Sequence, residues 1–137
     1  MRFLQIESSR ASELAVLNKQ LIEDEGSDNP MNMDKLTERM ATWLDNEYGC
    51  YAIEREEVLV AYCLYRDDGE HYYIRQLFTV REQRRKGLGR ALLDFVEQAL
   101  PDDKPIRLEV LSHNVDALKF YEAYGFTLYS HTLSKRK

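Results

Sequence analysis

The stretch from Cys50 to Val80 reads as three extended segments joined by two tight turns, and this constrains the fold more than any other feature of the chain. Cys50 to Arg55 and Val58 to Arg66 flank Glu56-Glu57, the spacing of a hairpin. Asp67-Asp68-Gly69-Glu70 makes the next turn, and His71 to Val80 is the longest strand. Such a sheet must bury its apolar faces against other elements.

Helical patterns lie on both sides of it. Arg2 to Glu7 supplies a first strand. Ser8 and Ser9 offer N-caps for a helix through about Asp24, with Leu14, Leu17, Leu21 and Ile22 on one face. Gly26, Asp28, Asn29 and Pro30 break the chain. A second helix follows from about Asn32 to Asn46, turning Leu36, Met40, Trp43 and Leu44 inward. Beyond the strands, a helix starts near Gly87 and runs to Leu100, burying Leu88, Leu92, Phe95, Val96 and Ala99, and Pro101 to Pro105 ends it. Ile106 to Leu111 is a strand, Asn114 to Tyr124 a helix and Thr127 to Leu133 a last strand. The order βααβββαβαβ describes one α/β (α+β) layered domain over residues 1–137, with helices flanking a mixed, mostly antiparallel sheet.

Composition narrows the function. The 137 residues are 44% hydrophobic and 31% charged, enough to bury a core. No apolar run is long enough to span a membrane, and the start is charged too early for a signal peptide. Cys50 and Cys63 form no Cys-x-x-Cys and meet no paired histidines, so they read as buried thiols of a cytoplasmic chain without a metal. A net charge of −5 weighs against nucleic-acid binding, and any basic cluster must be local.

One such cluster exists. Of the ten residues from Arg81 to Arg90, five are basic and one is acidic, where a strand hands over to a helix. Gly87 and Gly89 let backbone approach a ligand, and successive N–H groups at a helix start converge on an anion. Cations at that end oppose the helix dipole, so an anion such as a pyrophosphate is the natural guest. The stretch is not a P-loop, and Gly87-Leu88-Gly89-Arg90-Ala91-Leu92 lacks the third small residue of a dinucleotide site.

A second block runs from Asn114 to Phe126. Asn114 and Tyr121 are seven residues apart, two helical turns, and Gly125 fits a left-handed stop. Taken alone, this is an amphipathic helix with packed aromatics.

Together the blocks resemble the GNAT superfamily of acetyl-CoA-dependent N-acetyltransferases. Arg84, Gly87 and Gly89 meet its Gln/Arg-x-x-Gly-x-Gly/Ala pattern, and Asn114, Ala117, Phe120, Tyr121, Gly125 and Phe126 its later one. The resemblance implies that the strand ending at Val80 splays from the one containing Glu109. The pantetheine arm of acetyl-CoA would lie in that gap, on the backbone of Phe78, Thr79 and Val80. Backbone N–H groups of Arg85, Lys86, Gly87, Leu88, Gly89 and Arg90 would cradle the pyrophosphate, with the basic side chains, Arg84 included, near the phosphates. Asn114 would contact the cofactor arm and Tyr121 would place its hydroxyl near the sulfur.

The implied reaction is direct attack of a primary amine on the thioester. A backbone N–H near Val80 would polarise the oxygen, and the Tyr121 phenol would protonate the departing thiolate. Similar proteins with a direct carboxylate base carry it around Tyr72 and Tyr73, where this chain has no acid. Glu109, Glu70 and His71 are the substitutes at hand, and the base stays unassigned. Glu23, Asp24, Glu25 and Asp28 cluster between the first two helices, a region that borders the acceptor side in similar proteins, and would favour a cationic amine; a solvated loop accounts for them at least as well. Only eleven residues follow Phe126, short for the family's final strand pair, and a second copy in a homodimer would complete the acceptor wall. The competing readings are a non-catalytic acyl-CoA sensor, against which Tyr121 argues, and a nucleic-acid module, against which net charge argues.

Overall fold

The computed structural model describes residues 1–26 and 29–137. Strands β1 (Arg2–Gln5), β2 (Tyr48–Arg55), β3 (Val58–Asp67), β4 (Tyr72–Thr79) and β5 (Ile106–Leu108) form one sheet in the order β1-β2-β3-β4-β5. The first three pairings are antiparallel and β4–β5 is parallel, which makes the sheet mixed as expected. Glu56 and Glu57 close the β2–β3 hairpin with φ of 51° and 67°. Two successive left-handed residues match the twist of the flanking strands, at a cost in strain for side chains with a Cβ.

Four helices cover the sheet: α1 (Ala11–Asp24), α2 (Met33–Asp45), α3 (Leu88–Ala99) and α4 (Val115–Tyr124). Phe95 of α3 stacks on Phe3 and meets Tyr51 edge-on, whereas Trp43 of α2 packs against Tyr48. Tyr48 and Tyr51 are an odd number of steps apart on β2, so α2 and α3 lie on opposite faces. Leu14, Leu17, Leu36, Met40, Leu88, Leu92 and Val96 are buried from the helical side, and Tyr62, Cys63 and Leu64 from β3. Both cysteines are free and buried, and desolvation pushes the Cys63 thiol up to about 12, which makes it inert.

Four local expectations fail. Ser8–Arg10 forms a 3₁₀ turn, and neither serine caps α1, which begins after Arg10. Ala99 is exposed in the last turn of α3, while the neighbouring Leu93 is buried. β5 ends at Leu108, leaving Glu109 just outside it. The strand expected from Thr127 to Leu133 does not form: those residues are irregular, and Leu128 and Leu133 are 66% and 93% exposed. Alternation specifies a strand only where one face is buried against a neighbour, and the three residues of β5 give it little ladder to join.

Candidate active site

The site begins with an interruption of the sheet. Tyr72, Tyr73 and Ile74 pair with Ile106, Arg107 and Leu108, and the ladder then stops. β4 continues on β3 as far as Thr79, so its other edge is open from Arg75 onward. The divergence coincides with a bulge: Leu64 faces Gln76 and Tyr65 faces Ile74, leaving Arg75 as the extra residue.

Backbone direction along this edge corrects one expectation. The Val80 N–H donates to the Val60 carbonyl at 2.9 Å, so it is committed to β3 and has no proton for a thioester oxygen. Alternation along the strand turns the Phe78 backbone the same way and that of Leu77 and Thr79 into the gap. The Thr79 carbonyl already accepts from Arg84 Nε at 2.9 Å. The backbone of Leu77 and Thr79 therefore faces the gap, while Phe78 contributes a buried ring.

The chain next makes a short turn, Arg81–Gln83, and reaches α3 through Arg85 and Gly87, with φ of 63° and 76°. Ala91 N–H is bonded to the Gly87 carbonyl at 3.0 Å. The N–H groups of Leu88, Gly89 and Arg90 precede that first helical bond and point out of the helix start, the arrangement that binds anions. A Cβ on Gly87 would meet nothing within 4 Å, so this glycine is required by its left-handed backbone. Gly89 packs closely on α4: a Cβ there would stand 3.3 Å from Cζ of Phe120, so the ring would have to shift by a few tenths of an ångström.

The basic cluster divides into two groups. Arg81 and Arg84 both bond the Asp24 carboxylate at the end of α1. Burial raises the Asp24 carboxyl, but hydrogen bonds from Arg84 and Arg81 outweigh it and the net shift is downward. Arg84 also lies 5.1 Å over the Phe78 ring, so it ties the loop to α1 and β4. Arg85, Lys86 and Arg90 are exposed and form no ion pair among the described residues.

α4 closes the gap from beyond β5. Asn114 Oδ1 accepts the Ala117 N–H at 3.3 Å, which caps the helix and leaves its amide protons for another partner. Tyr121 is half-buried, packed edge-on to Phe120 and Phe126 at 5.3 and 5.6 Å. Its phenol makes no hydrogen bond among the described residues. Burial, with Cys63 and Glu25 nearby, pushes its pKa up, so the hydroxyl keeps its proton at neutral pH.

The structure separates the base candidates. Glu70 and His71 lie at the β3–β4 turn, at the opposite end of β4 from the open edge, and His71 pairs with Asp68 at 3.1 Å. Glu109 lies nearer the opening but accepts from the Tyr73 hydroxyl at 2.9 Å. Glu25, which ends α1, is exposed. Desolvation and Asp24 raise its carboxyl against the opposing effect of His113. Of the acidic loop residues, Asp24 is neutralised by arginines and Asp28 lies outside the described residues.

Sequence reasoning missed a polar cluster on the α2 side of the opening. Asn18 is fully buried in the α1 stripe, accepts from Arg39 Nη2 at 3.0 Å and lies beside the Tyr62 phenol. Tyr62 donates to Gln76 Oε1 at 2.7 Å. The guanidiniums of Arg39 and Arg75 lie 4.4 and 4.7 Å from the Trp43 ring centre. Asn18 carried a readable signal, being an amide between Leu17 and Leu21 on an apolar face. Arg39 and Arg75 carried none, since isolated arginines on a helix and a strand are usually solvated. Among the described residues, no group of His, Cys, Asp and Glu could hold a metal ion, and no helix is long and apolar enough to cross a membrane.

Comparison with known proteins bears on the whole arrangement. The sequence pattern of the acetyltransferase (GNAT) family matches residues 15–126. Among solved structures, a possible acetyltransferase from Clostridium difficile 630 superposes with a TM-score of 0.83 at 20% identity, covering 99% of this chain and 96% of that one. An aminoglycoside N-acetyltransferase in complex with CoA gives 0.81 at 14% identity, over 99% and 93% of the two chains. A ribosomal-protein-alanine N-acetyltransferase from Brucella melitensis biovar Abortus 2308 gives 0.80 at 15%, over 99% and 98%. No curated protein sequence matches the chain.

Proposed function

Since the chain belongs to the GNAT acetyltransferase family, we propose that residues 1–137 form one N-acetyltransferase domain that moves acetyl from acetyl-CoA to a primary amine. The observation that carries this reading is the open β4 edge beside the uncapped N-terminus of α3. An extended pantetheine arm finds unpaired strand backbone there, and its pyrophosphate finds three converging N–H groups.

This chain's residues then take distinct parts. Leu88, Gly89 and Arg90 donate backbone protons to the phosphates, with Arg85 and Lys86 adding charge and Gly87 shaping the approach. Arg84 holds the loop through Asp24 and the Thr79 carbonyl. Phe78, Thr79 and Val80 build the wall of the gap, and the Leu77 and Thr79 N–H groups face the arm. Asn114 directs its free amide protons at the arm. Acetyl-CoA supplies an activated acyl group when bound. The amine lone pair forms the new C–N bond as the C–S bond breaks, an N–H of β4 stabilises the oxygen, Tyr121 gives its proton to the leaving sulfur, and the proton shed by the nitrogen returns through water to the Tyr121 oxygen. Solved relatives named for aminoglycosides and a ribosomal-protein alanine support an amine acceptor here, either small or peptidic.

The test is free-thiol release from acetyl-CoA with and without amines, including an aminoglycoside and a peptide N-terminus. The reading requires release that depends on an amine and an acetylated product by mass spectrometry.

A further inference from the structure

We propose that the acceptor amine carries a carboxylate, held by Arg39 and Arg75 beside Trp43, with its amine end toward Glu25. The proposal rests on the acetyl-transfer reading and specifies its substrate class.

The first support is a charge without a counter-charge. Neither Arg39 nor Arg75 forms an ion pair among the described residues. Among the described residues, Arg75 donates only to the Tyr48 hydroxyl, at 3.3 Å, and Arg39 only to Asn18. The adjacent Arg66 is satisfied by Asp68. Glu109, the acid on the Tyr73 side, is already bonded by the Tyr73 hydroxyl. A half-buried guanidinium beside a second one is costly without an anion, and burial together with Arg75 depresses the Arg39 pKa accordingly.

The second support is independent of charge. Arg39 Nε is a buried donor with no acceptor among the described residues, on a side chain whose other end is bonded to Asn18. Buried polar atoms are nearly always satisfied in folded proteins. A planar guanidinium short of an acceptor, beside a second one that is exposed, suits the two oxygens of a carboxylate.

The third support is position. Arg75 is the bulged residue at which β4 parts from β5, so its side chain originates where the thioester end of the gap lies. Arg39 and Trp43 line an open surface depression on the α2 side, whose other charges, Lys35 and Glu38, are of opposite sign. Glu25 stands within electrostatic range of both Tyr62 and Tyr121, so an ammonium approaching the thioester meets an acid as its carboxylate meets arginines.

Matched pairs test this: lysine against cadaverine, arginine against agmatine, tyrosine against tyramine. Thiol release is measured at fixed acetyl-CoA, and binding is followed by the fluorescence of Trp43, the only tryptophan in the chain. The carboxylate-bearing member of at least one pair is expected to win in kcat/KM by about tenfold or more, the usual worth of a charged hydrogen bond. The same member should perturb Trp43 saturably while its decarboxylated partner does not. Arg75→Gln, Arg39→Gln and the milder Arg39→Lys should collapse that ratio toward one through KM, with melting checked for each. Equal or better performance by every decarboxylated member overturns the proposal, as does a preference that survives both Gln variants, or silence of rate and fluorescence in all three pairs. Failure to bind CoA in calorimetry would instead fell the acetyl-transfer reading, and the fluorescence titration would still report on Arg39 and Arg75.

Discussion

Asp24 at the end of α1 and Arg84 in the loop before α3 are joined carboxylate to guanidinium across sixty residues of sequence. This contact ties the loop before α3 to the end of α1. Arg84, the first residue of the family pattern, thereby braces the loop before α3.

Asp24→Asn should therefore loosen the loop. CoA affinity should fall several-fold, and stability by no more than about 1 kcal/mol, since the two arginines are largely exposed. The sign of the pH dependence follows from the depressed Asp24 pKa: its contribution is present above the ordinary carboxylate value near 4 and is lost as pH falls through the lower folded value. The melting difference between wild type and Asp24→Asn, measured from pH 7 to 3, should shrink toward zero at the acid end.

Gly87→Val should weaken CoA binding at least tenfold with a modest loss of melting temperature. The cause is backbone: φ is 76°, and a β-branched residue there costs about 1–3 kcal/mol or shifts the loop, although its Cβ has space. Calorimetry of both proteins with CoA checks it, and equal affinities would remove the loop from the binding account.

Neutralising Arg85, Lys86 and Arg90 together should flatten the salt dependence of CoA affinity. Binding of a pantetheine fragment without the pyrophosphate should respond little to salt in any variant. Equal salt sensitivity for both ligands would assign these charges to another role.

Tyr121→Phe keeps the ring contacts with Phe120 and Phe126, so folding and CoA binding should hold. Turnover should drop roughly ten- to a thousand-fold, overlapping the range for a general acid. Because burial raises the Tyr121 pKa, the wild-type rate should show no loss from phenol ionisation below about pH 10. A thioester with a more acidic leaving thiol should narrow the deficit.

The sequence made much of this legible where local chemistry and tertiary packing agree. Leu14, Leu17, Leu92 and Val96 obeyed helical spacing and are buried, and Glu56-Glu57 sat between two strand patterns and turned. The loop around Gly87 was legible because a left-handed residue and clustered cations are visible in one dimension. Thr127 to Leu133 had the pattern of a strand without a sufficient neighbour, and no local pattern reports that. The donor direction of Val80 depends on β-ladder parity, which the bulge at Arg75 shifts. Arg39, Arg75 and Asn18 come from α2, β4 and α1, and only the fold brings them to one place.

The central claim is that the open β4 edge and the α3 N-terminus hold a coenzyme A. Calorimetric titration of CoA into the wild-type protein at low salt tests it most directly. The structure predicts saturable binding of one CoA per chain with micromolar affinity, weakened by added salt. Absence of saturable binding at millimolar CoA would contradict it.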